Sequence, residues 1–256
     1  MNRISGKVLM NRNGVYGNKE GFREQIRGLL PMAAFFIIYV EWFSELEKRN
    51  GIPMREMHMV LDDLIPFCEL FVIPYFMWFG YMIINTLFIY FTDRRTYYCL
   101  STLLYIGMGT FLLISTFCPN YQNLRLSVMP RNNIFTDMVR YLWRIDTSTN
   151  VFPSIHVYNS LCIMTAVHHA HKLNMTEHRA TRCRICSKKK FRAAIYVIGV
   201  LIILSTVMIK QHSCYDVLGG FLMMGALYYG VYVKGHTFEE MLRKMRRRRR
   251  PNVFYG

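Results

Sequence analysis

Acidic residues are scarce in this chain. Its 256 residues hold 16 Asp and Glu against 32 Lys and Arg, a formal net charge of +16. Charged residues of both signs make up only 19%, whereas 52% are hydrophobic and 15% aromatic. So apolar a composition excludes a disordered chain, which cannot bury enough surface to offset its ordering entropy. Seven cysteines at this length exclude a small disulfide scaffold. No internal repeat and no low-complexity stretch occurs apart from Arg246–Arg250. The first 27 residues are polar, with no short apolar stretch leading to a small-residue cleavage site, so no cleavable signal peptide is expected.

What is present comes in blocks. Leu70–Phe91 runs 22 residues and Tyr97–Phe117 runs 21 without Asp, Glu, Lys or Arg, each enough to cross a hydrocarbon core of about 30 Å. Ala193–Ile209 and Val217–Val233 give 17 each, the lower limit. Two weaker candidates are Gly28–Val40, continuing past Glu41 to Phe43, and the uncharged but polar Thr147–Ala170; either alternatively reads as an interfacial or buried helix. With six spans, the segment before the first, the connections after the second and fourth, and the C-terminal tail carry 24 of the 32 cations. Cytoplasmic segments are enriched in Lys and Arg. The bias therefore predicts both termini cytoplasmic, at a cell membrane. It also accounts for the basic charge without a nucleic-acid partner, which a soluble basic binder would recognise through charge spread over polar sequence.

The expected architecture is all-α: an integral membrane bundle of six helices (28–236) between a basic N-terminal segment (1–27) and a basic tail (237–256). The arginine run in that tail reads as a solvated, topology-reinforcing segment, with binding to anionic lipid as the alternative. In the third connection, Ile134, Phe135, Met138, Val139 and Leu142 form an apolar stripe at helical period, with Asp137, Arg140 and Arg144 elsewhere. This predicts a helix lying at the membrane surface or, equally, one capping the core. Cys183-Arg-Ile-Cys186 with the upstream His168, His169, His171 and His178 supplies only half of a zinc pattern, so no metal is expected.

Two polar clusters fall on the outer side. Asn150-Val-Phe-Pro153-Ser154-Ile-His156 opens the fourth span, and Lys210-Gln-His212-Ser-Cys-Tyr-Asp216 joins the fifth to the sixth. His212 and Asp216 are four apart, one helical turn, so the carboxylate can fix the tautomer of the imidazole and stabilise its cation. Such an imidazole serves as nucleophile or base, and a second, His156, as general acid. Taken singly, each histidine is as readily a hydrogen-bonding residue at an interface. Two such clusters at one membrane depth point further, because ionisable groups there are costly and tend to be functional.

The sequence resembles the type 2 phosphatidic acid phosphatase superfamily. Pro153-Ser154-x-His156 is similar to its second motif, P-S-G-H, and Ser205-x(6)-His212-x(3)-Asp216 to its third, S-R-x(5)-H-x(3)-D. Its first, K-x(6)-R-P, aligns with Cys118-x(6)-Arg125-Leu126. The resemblance implies His212 as a nucleophile that forms a phosphohistidine, Asp216 as its orienting carboxylate and His156 as the acid for the leaving oxygen. It also implies Arg125 and Ser154 as phosphate contacts, and neither cofactor nor metal. Cys118, Leu126, Ile155 and Thr206 depart from the pattern, leaving Arg125 as the one signature cation; Lys210 and Arg131 are expected substitutes. The loss of cations is similar to the inositol phosphorylceramide synthase and sphingomyelin synthase branch, which passes a phospho-headgroup to a lipid alcohol. The expected activity is hydrolysis of a lipid phosphomonoester or diphosphate at the extracytoplasmic face, with membrane lipids as surroundings and a lipid phosphate as substrate: phosphatidic acid, phosphatidylglycerophosphate or a polyprenyl diphosphate. Headgroup transfer to ceramide or diacylglycerol, and an inactive lipid-binding protein, are the alternatives.

Overall fold

Apolar length dictates the longest elements. The computed structural model describes residues 27–49, 51–176, 185–186 and 188–234, and these are mostly helical. In chain order they form α1 (Leu30–Glu47), the two-residue strand β1 (Arg55–Glu56), a short α2 (Val60–Leu64), α3 (Val72–Thr92) entered through a 3-10 turn (Glu69–Phe71), and α4 (Arg94–Phe117). Strand β2 (Asn120–Tyr121), α5 (Ile134–Ile145), α6 (Ile155–Thr176), α7 (Lys189–Met208) and α8 (Cys214–Tyr228) follow, and α8 continues into a π-helical turn (Tyr229–Lys234). The chain divides into two compact units, 1–37 and 38–256; the first is described only where α1 begins, and all other elements belong to the second. The basic segments 1–26 and 237–256, and Cys183 of the C-x-x-C pair, lie outside the described residues.

Each of the six expected spans contains a helix, the fourth only from Ile155, but among the described residues four helices also have the composition to cross a membrane: Glu69–Thr92, Arg94–Phe117, Lys189–Met208 and Cys214–Tyr232. The other two are long enough. Helices α1 and α6 have 18 and 22 residues, about 27 and 33 Å at 1.5 Å per residue. What they lack is apolarity, since α1 carries Glu41, Glu45 and Glu47, and α6 carries four histidines with Asn159 and Ser160.

Packing explains how α6 tolerates this. It touches α3, α4, α7 and α8, and the polar residues of its first turns face protein. His156, Asn159 and Ser160 are buried, and so are Ser205 and Thr206 of α7 and Asp216 of α8. Meanwhile Ile84 of α3, Val197 of α7 and Leu222 of α8 stand 67%, 58% and 67% exposed. Polar residues inside and large apolar residues outside invert the order of a soluble bundle, as a chain solvated by lipid requires. The helices approach closely where side chains are small. Gly107 of α4 lies under the ring of Tyr158, whose hydroxyl donates to the Leu103 carbonyl at 2.6 Å.

Local chemistry sets the ends. Asp93 caps α4 by accepting from the Arg95 and Thr96 amides, and Asn133 caps α5 by accepting from Thr136. Arg49 donates to the Ser115 and Thr116 carbonyls at the other end of α4 (2.6 and 3.1 Å), where a cation also complements the helix dipole. Strand β1 pairs in parallel with β2, Arg55 opposite Asn120, which ties the segment before α2 to the connection after α4. Helix α5 forms where the stripe predicts. Val139 and Leu142 join a buried cluster with Val72, Tyr75 and Ile209, whereas Ile134, Tyr141 and Ile145 remain exposed. The helix thus caps the core and still presents apolar side chains outward.

Candidate active site

The five residues between α7 and α8 form a tight loop whose polar backbone is almost fully engaged. The Gln211 and His212 amides both donate to the Thr206 carbonyl, at 3.0 and 2.9 Å. The Ile209 carbonyl accepts from the Trp143 indole (3.2 Å), and those of Lys210 and Gln211 accept from the Gln122 side chain. The Ser213 amide donates to Asp216 Oδ2 at 2.9 Å, and the Ser213 hydroxyl accepts from the Tyr215 amide, closing the cap of α8. Lys210 itself adopts a left-handed backbone, φ 57°. Beyond that reversal, Lys210 and His212 meet different partners.

His212 Nδ1 lies 3.3 Å from Asp216 Oδ2, and His212 Nε2 lies 3.3 Å from His156 Nδ1. All three residues are buried, Asp216 completely. With Asp216 ionised, the Nδ1 proton of His212 donates to it. Nε2 is then the lone-pair nitrogen, able to accept from His156 or to attack an electrophile. Asp216 Oδ1 is buried with no hydrogen-bond partner among the described residues.

Two adjacent glycines let the clusters meet. Helix α8 carries Gly219 and Gly220 against the turn that opens α6. A Cβ on Gly220 would stand 3.0 Å from the Ser154 carbonyl oxygen and from Val157 Cβ; one on Gly219 would run into the Phe152 ring. This proximity allows the Ser154 amide to donate to the Asp216 carbonyl at 3.0 Å. The Ser154 hydroxyl is buried and accepts from the Val157 amide at 3.4 Å, a cap for α6. Upstream, Asn150 takes φ 51°, a conformation Asn tolerates, with its side chain donating to Glu47 at 2.7 Å. The peptide bond from Phe152 to Pro153 is cis.

Helix α3 covers His156 with two rings, Tyr75 at 4.6 Å and Trp78 at 4.3 Å between centroids. The Tyr75 hydroxyl donates to Asp146 Oδ2 at 2.6 Å. The buried Trp78 indole N–H has no partner among the described residues.

The three expected phosphate cations are not gathered around the histidines. Arg125 donates to the carbonyls of Trp143 (2.7 Å) and Asp146 (2.5 Å) and to Gln211 Oε1 (3.0 Å). Burial lowers the pKa of this guanidinium, partly offset by Asp146, Tyr75 and Glu47, yet a guanidinium stays protonated. Lys210 Nζ donates to the carbonyls of Asp62 and Ile65, both at 2.6 Å, and its side chain lines an open pocket with Glu56, His58 and Asp63. Arg131 pairs with Glu69 at 3.1 Å. The structure brings together His156, Ser154, His212 and Asp216; Arg125 borders them through Gln211, and Lys210 and Arg131 point elsewhere.

Several neighbours are absent from the motif reading. Gln122 falls among the unspecified positions of the first motif, and Tyr75, Trp78, Asp146 and Asp62 belong to segments that no motif spacing links to the two histidine clusters. Asp62 Oδ2 accepts from the Ser213 hydroxyl at 2.5 Å and the Met59 amide at 2.8 Å, while Oδ1 accepts from the Cys214 amide at 2.7 Å. Burial alone would raise its pKa. The bonds from Cys214, Ser213 and Met59 outweigh burial and hold the carboxyl below its ordinary value. Its one advance signal was an acidic pair, Asp62-Asp63, in a chain poor in acids.

Both histidine clusters, Arg125, Gln122 and Asp146 fall within the stretch that matches the model of the PAP2 superfamily, residues 96–239, whereas Asp62, Tyr75 and Trp78 precede it. No match is found among curated proteins or among solved structures. The family match covers more than half of the chain and includes both histidine clusters, so this protein belongs to the PAP2 superfamily, the type 2 phosphatidic acid phosphatases and their relatives.

Proposed function

We propose that this protein is an integral membrane enzyme that moves the phosphoryl group of a lipid phosphomonoester or diphosphate to water through a phosphohistidine at His212. The contact that runs from Asp216 through His212 to His156 carries this reading, because it joins residues 56 apart in the chain into one buried chain of acid–base groups. In the first step His212 Nε2 bonds to phosphorus while the P–O bond to the leaving group breaks, and protonated His156 gives its proton to the departing oxygen. Asp216 holds Nδ1–H and stabilises the positive charge that develops on the ring. In the second step neutral His156 takes a proton from water as that water attacks phosphorus. The P–N bond breaks, inorganic phosphate leaves and His212 is restored. The first turns of α6 and α8 both meet the site, and helix N-termini favour an anion there. No metal takes part in this scheme.

A second reading, transfer of a phospho-headgroup to a lipid alcohol such as ceramide or diacylglycerol, is favoured by the tethering of Arg125, Lys210 and Arg131 to protein oxygens. A phosphodiester carries one negative charge where a monoester carries up to two, so it needs less cationic compensation. The bias of Lys and Arg supports cytoplasmic termini and a site facing the extracytoplasmic side of a cell membrane. The exposed apolar residues of α5 support a helix seated at that surface.

One assay decides between the readings. Purified protein receives radiolabelled lipid phosphates, with and without diacylglycerol or ceramide, in chelator. Release of inorganic phosphate supports hydrolysis, and label in a new lipid supports transfer. Turnover that survives His212→Ala, or the absence of turnover with every donor, would sink the enzymatic mechanism.

A further inference from the structure

Two neighbouring carboxylates of α2 have opposite surroundings. Asp63 is exposed and pairs with exposed His58 at 3.0 Å. Asp62 is 2% exposed, and among the described residues no cation contacts its carboxylate. It is satisfied by three neutral donors, one within its own turn and two from the start of α8. Burying an unpaired charge is costly, and a packing role alone is served by an apolar residue. The Asp62 main chain also takes part, since its carbonyl accepts from Lys210 Nζ at 2.6 Å. One residue therefore grips the chain on both sides of His212: Lys210 before it, Ser213 and Cys214 after it.

The grip reaches the imidazole through Ser213. Its hydroxyl donates to Asp62, which turns an oxygen lone pair toward the Tyr215 amide at 3.1 Å. Its amide donates to Asp216 Oδ2, the same oxygen that faces His212 Nδ1. A rotation of Ser213 thus displaces the atom on which the histidine rests. We propose that Asp62 is a positioning residue for the phosphoryl-transfer site, fixing the loop that presents His212. It lies outside the residues matched by the family model, and it touches neither imidazole. The proposal rests on the reading of His212 as the reacting group.

The test uses the full chain in detergent, with Asp62→Asn, Ser213→Ala and, as neighbour control, Asp63→Asn. Imidazole nitrogen spectra of protein carrying isotope-labelled histidine report ring position directly. The His212 signals are identified by their loss in His212→Gln, and those of His168 and His169, at the far end of α6, serve as references. In Asp62→Asn and Ser213→Ala the His212 signals are expected to shift or broaden while the references stay, and Asp63→Asn moves neither. With radiolabelled dioctanoyl phosphatidic acid as probe, kcat is expected to fall on the order of 100-fold in Asp62→Asn, with KM changed less than about threefold, the signature of misplacement rather than lost binding. Unchanged His212 signals in both variants, or equal movement of the His168 and His169 signals, overturns the proposal. Where Asp62→Asn does not fold, Ser213→Ala, which removes one bond of the grip, decides alone. If the wild type leaves the probe untouched yet the His212 signals shift as described, positioning stands and the phosphatidic acid chemistry fails.

Discussion

Placing a methyl group at Gly220 tests how the two halves of the site are brought together. The added Cβ would lie 3.0 Å from the Ser154 carbonyl oxygen, a backbone atom that cannot swing aside as a side-chain end does. Ordinary van der Waals contact needs several tenths of an ångström more, so the opening turn of α6 must retreat from α8. Two consequences oppose each other in stability. Replacing glycine by alanine inside a helix contributes about 0.5–1 kcal/mol, and overpacking costs about 1–3 kcal/mol. The net loss is therefore about 0–2.5 kcal/mol, small enough to leave the protein folded. Activity is more sensitive, because the same retreat lengthens the 3.3 Å contact between His156 and His212 and the 3.0 Å bond from Ser154 to Asp216. A misplacement of this kind lowers turnover by about 10–100-fold. Gly225 on the same helix provides the control, since nothing lies within 4 Å of a Cβ built there. The measurements are thermal midpoint and turnover in detergent for both alanine variants. If Gly220→Ala turns over like Gly225→Ala, close approach of the backbones is not what aligns the histidines.

Gly107→Ala places a methyl inside the buried ring of Tyr158, so it is expected to destabilise the α4–α6 contact by about 3 kcal/mol, at the upper end for overpacking; a thermal midpoint within one degree of wild type contradicts this. Arg125→Lys cannot reproduce a fork that serves two carbonyls and Gln211. A loss of about 1–3 kcal/mol from unsatisfied acceptors is expected, with KM nearly unchanged. A large rise in KM without loss of stability would instead place this arginine on substrate. Because the pKa of Asp62 is depressed in the folded state, its contribution is fully present above the unfolded value of about 3.9 and is lost as pH falls through the folded value. Acid unfolding of Asp62→Asn is thus expected to show a shallower pH dependence below about pH 4 than that of wild type, as followed by circular dichroism.

The chemistry-bearing residues were legible because their identities and spacings are themselves the signal. A histidine and an aspartate one turn apart need no tertiary information to be paired, and the alternation of expected spans puts His156 at the same end of the bundle. The expected phosphate cations were less legible. Lys210 is adjacent in sequence to the motif, but its ammonium is held by the carbonyls of Asp62 and Ile65 instead of meeting the histidines. Helix α6 reads as a doubtful span because hydropathy averages over all faces. The helix meets four others, which bury His156, Asn159 and Ser160, and a single segment does not reveal this. Tyr75 and Trp78 could not be read at all, and Asp62 shows only as half of an acidic pair, since each makes its contacts with segments some 80 to 150 residues away.

The indole of Trp78 gives the site its own optical reporter. The chain has only three tryptophans, and the other two spend their N–H groups on Thr116 and on the Ile209 carbonyl. Among the described residues Trp78 alone rests on a histidine, at ring distance 4.3 Å. An imidazolium quenches indole emission more strongly than a neutral imidazole, so a change of charge on His156 is convertible into light without a label. In a chain where Trp42 and Trp143 are replaced by phenylalanine, emission intensity then follows proton occupancy at His156.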